Sequence, residues 1–133
     1  MHTLKVLLAD DHDCFRRILV AFLKTQKGIE VVGEATNGQE AIEQAERFQP
    51  DLILMDIHMP KQNGIAATKA IKSRWPGMKV FILSLDPGEF YRKNSEELAD
   101  GFIAKSSMKH ALLTVLSTEQ MHMAAMPVAA IAA

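Results

Sequence analysis

Four short runs constrain the fold of this chain more than any other feature: Ala9-Asp10-Asp11, Leu54-Met55-Asp56, Leu83-Ser84 and Ile103-Ala104-Lys105. Each stands at the end of an apolar stretch, where a buried strand should stop and a polar residue should surface. An open parallel sheet gathers the carboxyl ends of its strands on one rim, and ligands bind in the crevice there. Residues remote in sequence would then meet in one pocket. Its acids, hydroxyl and ammonium suit transfer of a phosphoryl group beside a divalent cation.

The remaining pattern agrees with such a sheet. Leu4 to Ala9, Glu30 to Glu34, Leu52 to Asp56, Val80 to Ser84 and Gly101 to Ala104 are rich in Val, Ile, Leu and Phe, as strands covered on both faces are. Phe15, Ile18, Leu19, Phe22 and Leu23 form an apolar stripe on a first helix, with Gly28 expected as its stop. Asn37 is expected to cap a second helix and Glu40 to reach back in a capping box, with Pro50 closing the helix after Ala41, Ile42 and Ala45. A third helix is expected over roughly Ile65 to Arg74, ahead of Pro76-Gly77, and a last one from about Ser107 to Thr118 with Leu112, Leu113, Val115 and Leu116 on it. The helix expected between Ser84 and Lys105 is weakened by Asp86-Pro87-Gly88 and Asn94-Ser95 and should start late or be loosely held. Strands alternating with helices imply right-handed crossovers. The expected fold is α/β, three-layered and doubly wound, on a five-stranded parallel sheet.

At 133 residues the chain fits one domain, read as residues 1–118, followed by an Ala- and Met-rich tail, 119–133, expected to be flexible. A net charge of -1 with acids and bases interspersed argues against direct nucleic-acid binding by this chain. The single cysteine, Cys14, excludes an internal disulfide framework. No signal-peptide pattern and no membrane-length apolar run are present, so the expectation is a cytoplasmic protein without membrane contact.

The acid pair Asp10 and Asp11 offers hard oxygens suited to Mg2+, and an N-cap role is about as attractive for an isolated pair. His12 and Asp13 are expected to face water. Asp56 ends the most apolar strand and is followed by the loop Ile57-His58-Met59-Pro60-Lys61-Gln62-Asn63-Gly64. Its carboxylate can attack phosphorus, while Pro60 fixes one dihedral and Gly64 is expected to supply a backbone conformation closed to other residues. A Ser at a strand end often bonds local backbone, and a Lys is often merely solvated. Here Ser84 and Lys105 stand on the same rim and offer a phosphoryl group the donors it requires.

Together these motifs resemble the receiver domain of the bacterial two-component response-regulator family over nearly all of residues 4 to 117. The resemblance implies a flavodoxin-like fold and a phosphorylation-dependent switch rather than an enzyme, with at most autophosphatase activity. It implies Asp56 as phosphoacceptor, Mg2+ or Mn2+ held by Asp10, Asp11, Asp56 and the backbone carbonyl of His58, and Lys105 on the phosphoryl group. Ser84 would be the switch hydroxyl and Phe102 the switch aromatic. Implied partners are a sensor histidine kinase or histidine phosphotransfer protein and an unidentified downstream protein, and the family admits phosphorylation-dependent homodimers.

The chain departs from the pattern in places. Leu85 replaces a small residue after the switch hydroxyl, Ser106 stands where many members carry Pro, and the span from Ser84 to Lys105 is about one residue short. His58 and Asp86 occupy positions that often tune dephosphorylation. Alternatives are a receiver-like binding module that works without phosphorylation, the receiver part of a longer DNA-binding transcription regulator, and a phosphohydrolase of the haloacid dehalogenase class. The last fits poorly, since His58 stands where that class uses a second Asp.

Overall fold

A computed structural model describes residues 3–84 and 99–124. The elements run β1 (Leu4–Ala9), α1 (Asp13–Lys24), β2 (Ile29–Ala35), α2 (Gly38–Phe48), β3 (Leu52–Asp56), α3 (Gly64–Arg74), β4 (Lys79–Ser84), β5 (Gly101–Ala104), a 3-10 turn (Lys105–Ser107) and α4 (Met108–Ala124). The strands form one parallel five-stranded sheet in the order β2-β1-β3-β4-β5. This is the doubly wound α/β architecture that the strand and helix alternation implies.

Alternation within each strand decides what covers each face. Leu7, Ala9, Ile53, Met55, Val80 and Ile82 pack with Ala41 and Ala45 of α2 and Ala67 and Ile71 of α3. Val6, Leu8, Leu52, Leu54, Leu83 and Ile103 pack on the other face with Leu19 and Leu23 of α1 and Leu112 and Leu116 of α4. Every residue of β3 is buried, as befits a central strand covered on both sides. The chain leaves β1 outward to β2 and then crosses back to β3, so the strand order reverses between β1 and β3. The crevice at such a reversal is where open α/β sheets bind ligands.

Several local expectations change in detail. The first helix ends at Lys24 with Thr25 as its cap. Gly28 is not that stop: at φ +79° it carries the later turn into β2, where the left-handed region favours glycine. Asn37 caps α2 and accepts from the Glu40 N–H at 2.9 Å. The returning Glu40 carboxylate accepts instead from the Thr36 N–H and hydroxyl, at 2.8 and 2.9 Å, one residue short of the expected box. The α2 C-terminus turns at Gln49, φ 47°, immediately ahead of Pro50. The last helix extends past Thr118 to Ala124. Leu85, Asp86 and the weak helix expected after them, and the tail from residue 125, lie outside the described residues. Among the described residues no helix is long and apolar enough to cross a membrane.

Candidate functional site

Strand register brings the carboxyl-end residues together. Ala9 pairs with Met55 across β1 and β3, so Asp10 follows β1 beside Asp56 at the end of β3. Asp56 pairs with Leu83 of β4, and Ser84 pairs with Ala104 of β5, immediately before Lys105. Asp10, Asp56 and Ser84 are buried. The Lys105 ammonium lies 2.9 Å from Asp10 Oδ2 and 3.3 Å from Asp56 Oδ1, and 4.4 Å from the centroid of the Phe15 ring. An aromatic face on one side and two carboxylates on the other hold the ammonium over the rim.

The N-cap alternative for the acid pair does not describe this site. Residue 12 is the cap of α1 and makes no side-chain capping bond. Asp10 Oδ1 instead accepts from the His12 N–H at 2.8 Å, and the Asp10 carbonyl accepts from Arg16 Nη1 at 2.8 Å. Arg16 also donates to Asp13 and Glu34, so its guanidinium ties the loop that carries the acids to the edge of β2. Asp13 faces water as expected. His12 does not simply do so: its Nδ1 lies 3.1 Å from Asp10 Oδ1, 3.3 Å from Asp11 Oδ1 and 3.8 Å from Asp56 Oδ2. Neither Arg16 nor His12 was legible as part of the site, because periodicity says only which face a residue takes. The adjacency of His12 to the acid pair was the one available signal.

The loop after Asp56 is built around Gly64. Its N–H donates to the Ile57 carbonyl at 2.9 Å, and a Cβ there would run into the Asp56 carbonyl oxygen. Gly64 is therefore needed for space and not, as expected, for an unusual dihedral; the left-handed residue of this loop is Lys61, φ 66°. Asn63 caps α3 by accepting from the Ala66 N–H at 2.8 Å. His58 lies exposed in this loop, two residues beyond Asp56. Phe102 is half-buried in β5, paired with Ile82, and packs against the core beneath α2 and α3. The Lys105–Ser106 peptide is trans.

Burial is the main influence on Asp56: it pushes the carboxyl above the usual carboxylate range, the neighbouring Asp10 carboxylate adds to the rise, and Lys105 opposes it. Asp56 Oδ2 is buried without a hydrogen-bond partner among the described residues, and the Lys105 ammonium approaches Asp10 Oδ2 without hydrogen-bond alignment. Ligand atoms of Asp10, Asp11, His12 and Asp56 all lie within 4.8 Å of one another. Such an oxygen-rich set with unused acceptors fits a hard divalent cation of the Mg2+ type, which would offset the repulsion between the carboxylates.

The family model for the response regulator receiver domain matches residues 6–117. The chain belongs to this family. The receiver is 34% identical over 116 residues to the transcriptional regulatory protein LnrK of Bacillus subtilis, covering 86% of this chain and 53% of LnrK. It is 42% identical over 107 residues to the response regulator protein VraR of Staphylococcus aureus, covering 79% of this chain and 51% of VraR. The receiver thus spans about half the length of these relatives. It also superposes on the crystal structure of the response regulator domain of Thermotoga maritima CheB with a TM-score of 0.79 at 30% identity, covering 95% of this chain and all of that domain. Members are phosphoacceptors and not enzymes with a turnover chemistry of their own. Membership implies interaction with a histidine kinase or histidine phosphotransfer protein.

Proposed function

We propose that Asp56 is the phosphoacceptor of this receiver and that the phosphorylated form switches a protein-binding surface. The observation that carries the assignment is the state of its two oxygens: Oδ1 is 3.3 Å from the Lys105 ammonium while Oδ2 is buried with no hydrogen-bond partner among the described residues. An oxygen of that kind attacks phosphorus, the bond to the donor's histidine nitrogen breaks, and that nitrogen keeps the electron pair. Lys105 stabilises the charge gathering on the transferred oxygens. A divalent cation held by Asp10, Asp11, Asp56 and the His58 carbonyl would neutralise the remaining charge.

Ser84, at the end of β4, is the hydroxyl that moves toward the new oxygens, and Phe102, in the neighbouring strand, takes the space it leaves. Charge-assisted hydrogen bonds are worth about 1.5–3 kcal/mol each, enough for two of them to shift a two-state surface tens of fold or more. The name of LnrK, a transcriptional regulatory protein, points to transcriptional output as the process this switch serves. A cytoplasmic setting belongs to the same reading, supported by the exposed free thiol of Cys14, which reducing compartments tolerate. A receiver-like module that binds partners without phosphorylation would leave Asp56 unmodified.

Incubation with Mg2+ and acetyl phosphate separates the two readings. Intact mass should rise by one phosphate in the wild type and stay unchanged in Asp56→Asn. A wild type that takes up no phosphate, and whose spectra ignore a beryllofluoride mimic, would overturn the assignment.

A further inference from the structure

The function proposed above leaves His12 without a role, and its position gives it one. We propose that His12 supplies a nitrogen ligand to the cation site and tilts that site from Mg2+ toward imidazole-preferring first-row transition ions. The inference rests on the reading of Asp10, Asp11 and Asp56 as a cation site.

Geometry is the first argument. In an octahedral site with metal to ligand distances of about 2.1 Å, neighbouring ligand atoms stand about 3.0 Å apart and opposite ones about 4.2 Å. His12 Nδ1 lies 3.1, 3.3 and 3.8 Å from the oxygens of Asp10, Asp11 and Asp56. Those separations fall in the range set by one shared coordination sphere. The shortest contact, Nδ1 to Asp10 Oδ1, is a hydrogen bond, and beyond it the same nitrogen lies 3.3 Å from Asp11 and approaches Asp56, which a hydrogen bond to Asp10 alone does not require.

The second argument is burial and hydrogen bonding. Asp56, 3% exposed, has a buried oxygen, Oδ2, without a hydrogen-bond partner among the described residues, 3.8 Å from His12 Nδ1. His12 itself is held by its backbone: its N–H donates to Asp10 Oδ1 and it stands at the α1 cap without using its side chain there. The backbone fixes the residue while the ring is spared any capping duty. The half-exposed ring, 57% accessible, leaves one edge in the cluster and the other in solvent, so a cation could enter past it.

Ligand chemistry sets the consequence. Carboxylate and carbonyl oxygens suit Mg2+, whereas imidazole suits Ni2+, Zn2+ and Cu2+. One nitrogen among hard oxygens does not exclude Mg2+ but rewards the transition ions selectively.

The test is calorimetric titration of the untagged whole chain with MgCl2 and with NiCl2, comparing wild type, His12→Ala and Asp10→Asn. Because the His12 side chain carries no capping bond, its truncation leaves the α1 cap unchanged. The expected result is a loss of tenfold or more in Ni2+ affinity in His12→Ala with Mg2+ affinity within about twofold of wild type. Excess Mg2+ should displace Ni2+ from the wild type, which places both ions in one site and separates it from the chain's other histidines, His2, His58, His110 and His122. Equal changes for both ions, a rise in both, or an unchanged Ni2+ affinity would each overturn the role of His12. Asp10→Asn that still binds Mg2+ as wild type does would overturn the cation site itself, a separate failure.

Discussion

The two ends of the sheet use the same residue types in opposite ways. At the amino ends of the strands, Asp51 Oδ2 accepts from the Lys5 N–H at 2.8 Å, and the Asp51 backbone joins Lys5 and Lys79 through further hydrogen bonds. Asp100 Oδ2 accepts from the Val80 N–H and from Lys72 at 2.8 and 2.9 Å, while the same ammonium donates to the carbonyls of Pro76 and Met78. Acids and lysine there saturate one another and the backbone. At the carboxyl ends, Asp10, Asp56 and Lys105 are more deeply buried, yet Asp10 Oδ2 and Asp56 Oδ2 have no hydrogen-bond partner among the described residues. One end of the sheet is finished by the fold, and the other gathers buried carboxylates whose charge a divalent cation would offset.

The largest effect that could break this contrast is stabilisation by cation. With Mg2+ at 100 times its dissociation constant, the wild type should gain about 2.7 kcal/mol against unfolding, and Asp10→Asn should gain almost nothing. Thermal melts with and without Mg2+ measure it; equal gains would show that the ion acts elsewhere.

Next in size is Asp100→Ala, which removes hydrogen bonds to Val80 and Lys72 at the finished end. Urea unfolding should show a loss of about 2 kcal/mol, with phosphate uptake from acetyl phosphate as in wild type. Reduced uptake at unchanged stability would dissolve the division between the two ends.

Asp56→Asn should have the opposite sign. Without divalent cations it should unfold about 1 kcal/mol less readily than wild type, since it removes a buried charge facing Asp10. The pH dependence sharpens the point. A carboxyl raised in the fold binds its proton more tightly there than in the unfolded chain, so its stabilising contribution is complete below the ordinary carboxylate range. That contribution is lost as pH rises through the folded value. The advantage of Asp56→Asn should therefore grow from acid pH toward neutrality, as urea midpoints in a pH series would show, and a constant difference would contradict it.

The sheet was legible because strand burial writes itself as unbroken apolar runs, and β1, β3 and β5 begin and end where Leu4, Ala9, Asp56, Gly101 and Ala104 suggest. Asp10, Asp56 and Lys105 were legible for the same reason, as polar residues placed where such runs stop. Features set by space or by contacts across the fold were not. Gly64 carries no mark distinguishing a steric need from a dihedral one, and Gly28 resembles a helix stop until the chain is seen to end α1 earlier at Thr25. His12 was read as solvated because a histidine after two acids has no periodic partner. Only the close approach of β1 and β3 brings the Asp56 carboxylate beside it.

The most direct measurement of what the open end of the sheet is for is to locate the modified atom. The receiver would be treated with acetyl phosphate and Mg2+, any acyl phosphate reduced with borohydride, and the labelled position read by peptide mass spectrometry. Labelling at Asp56, with Asp10, Asp11, Asp51 and Asp100 unlabelled, is the predicted result; a label on any of those four, or none on Asp56 in folded protein, would contradict it.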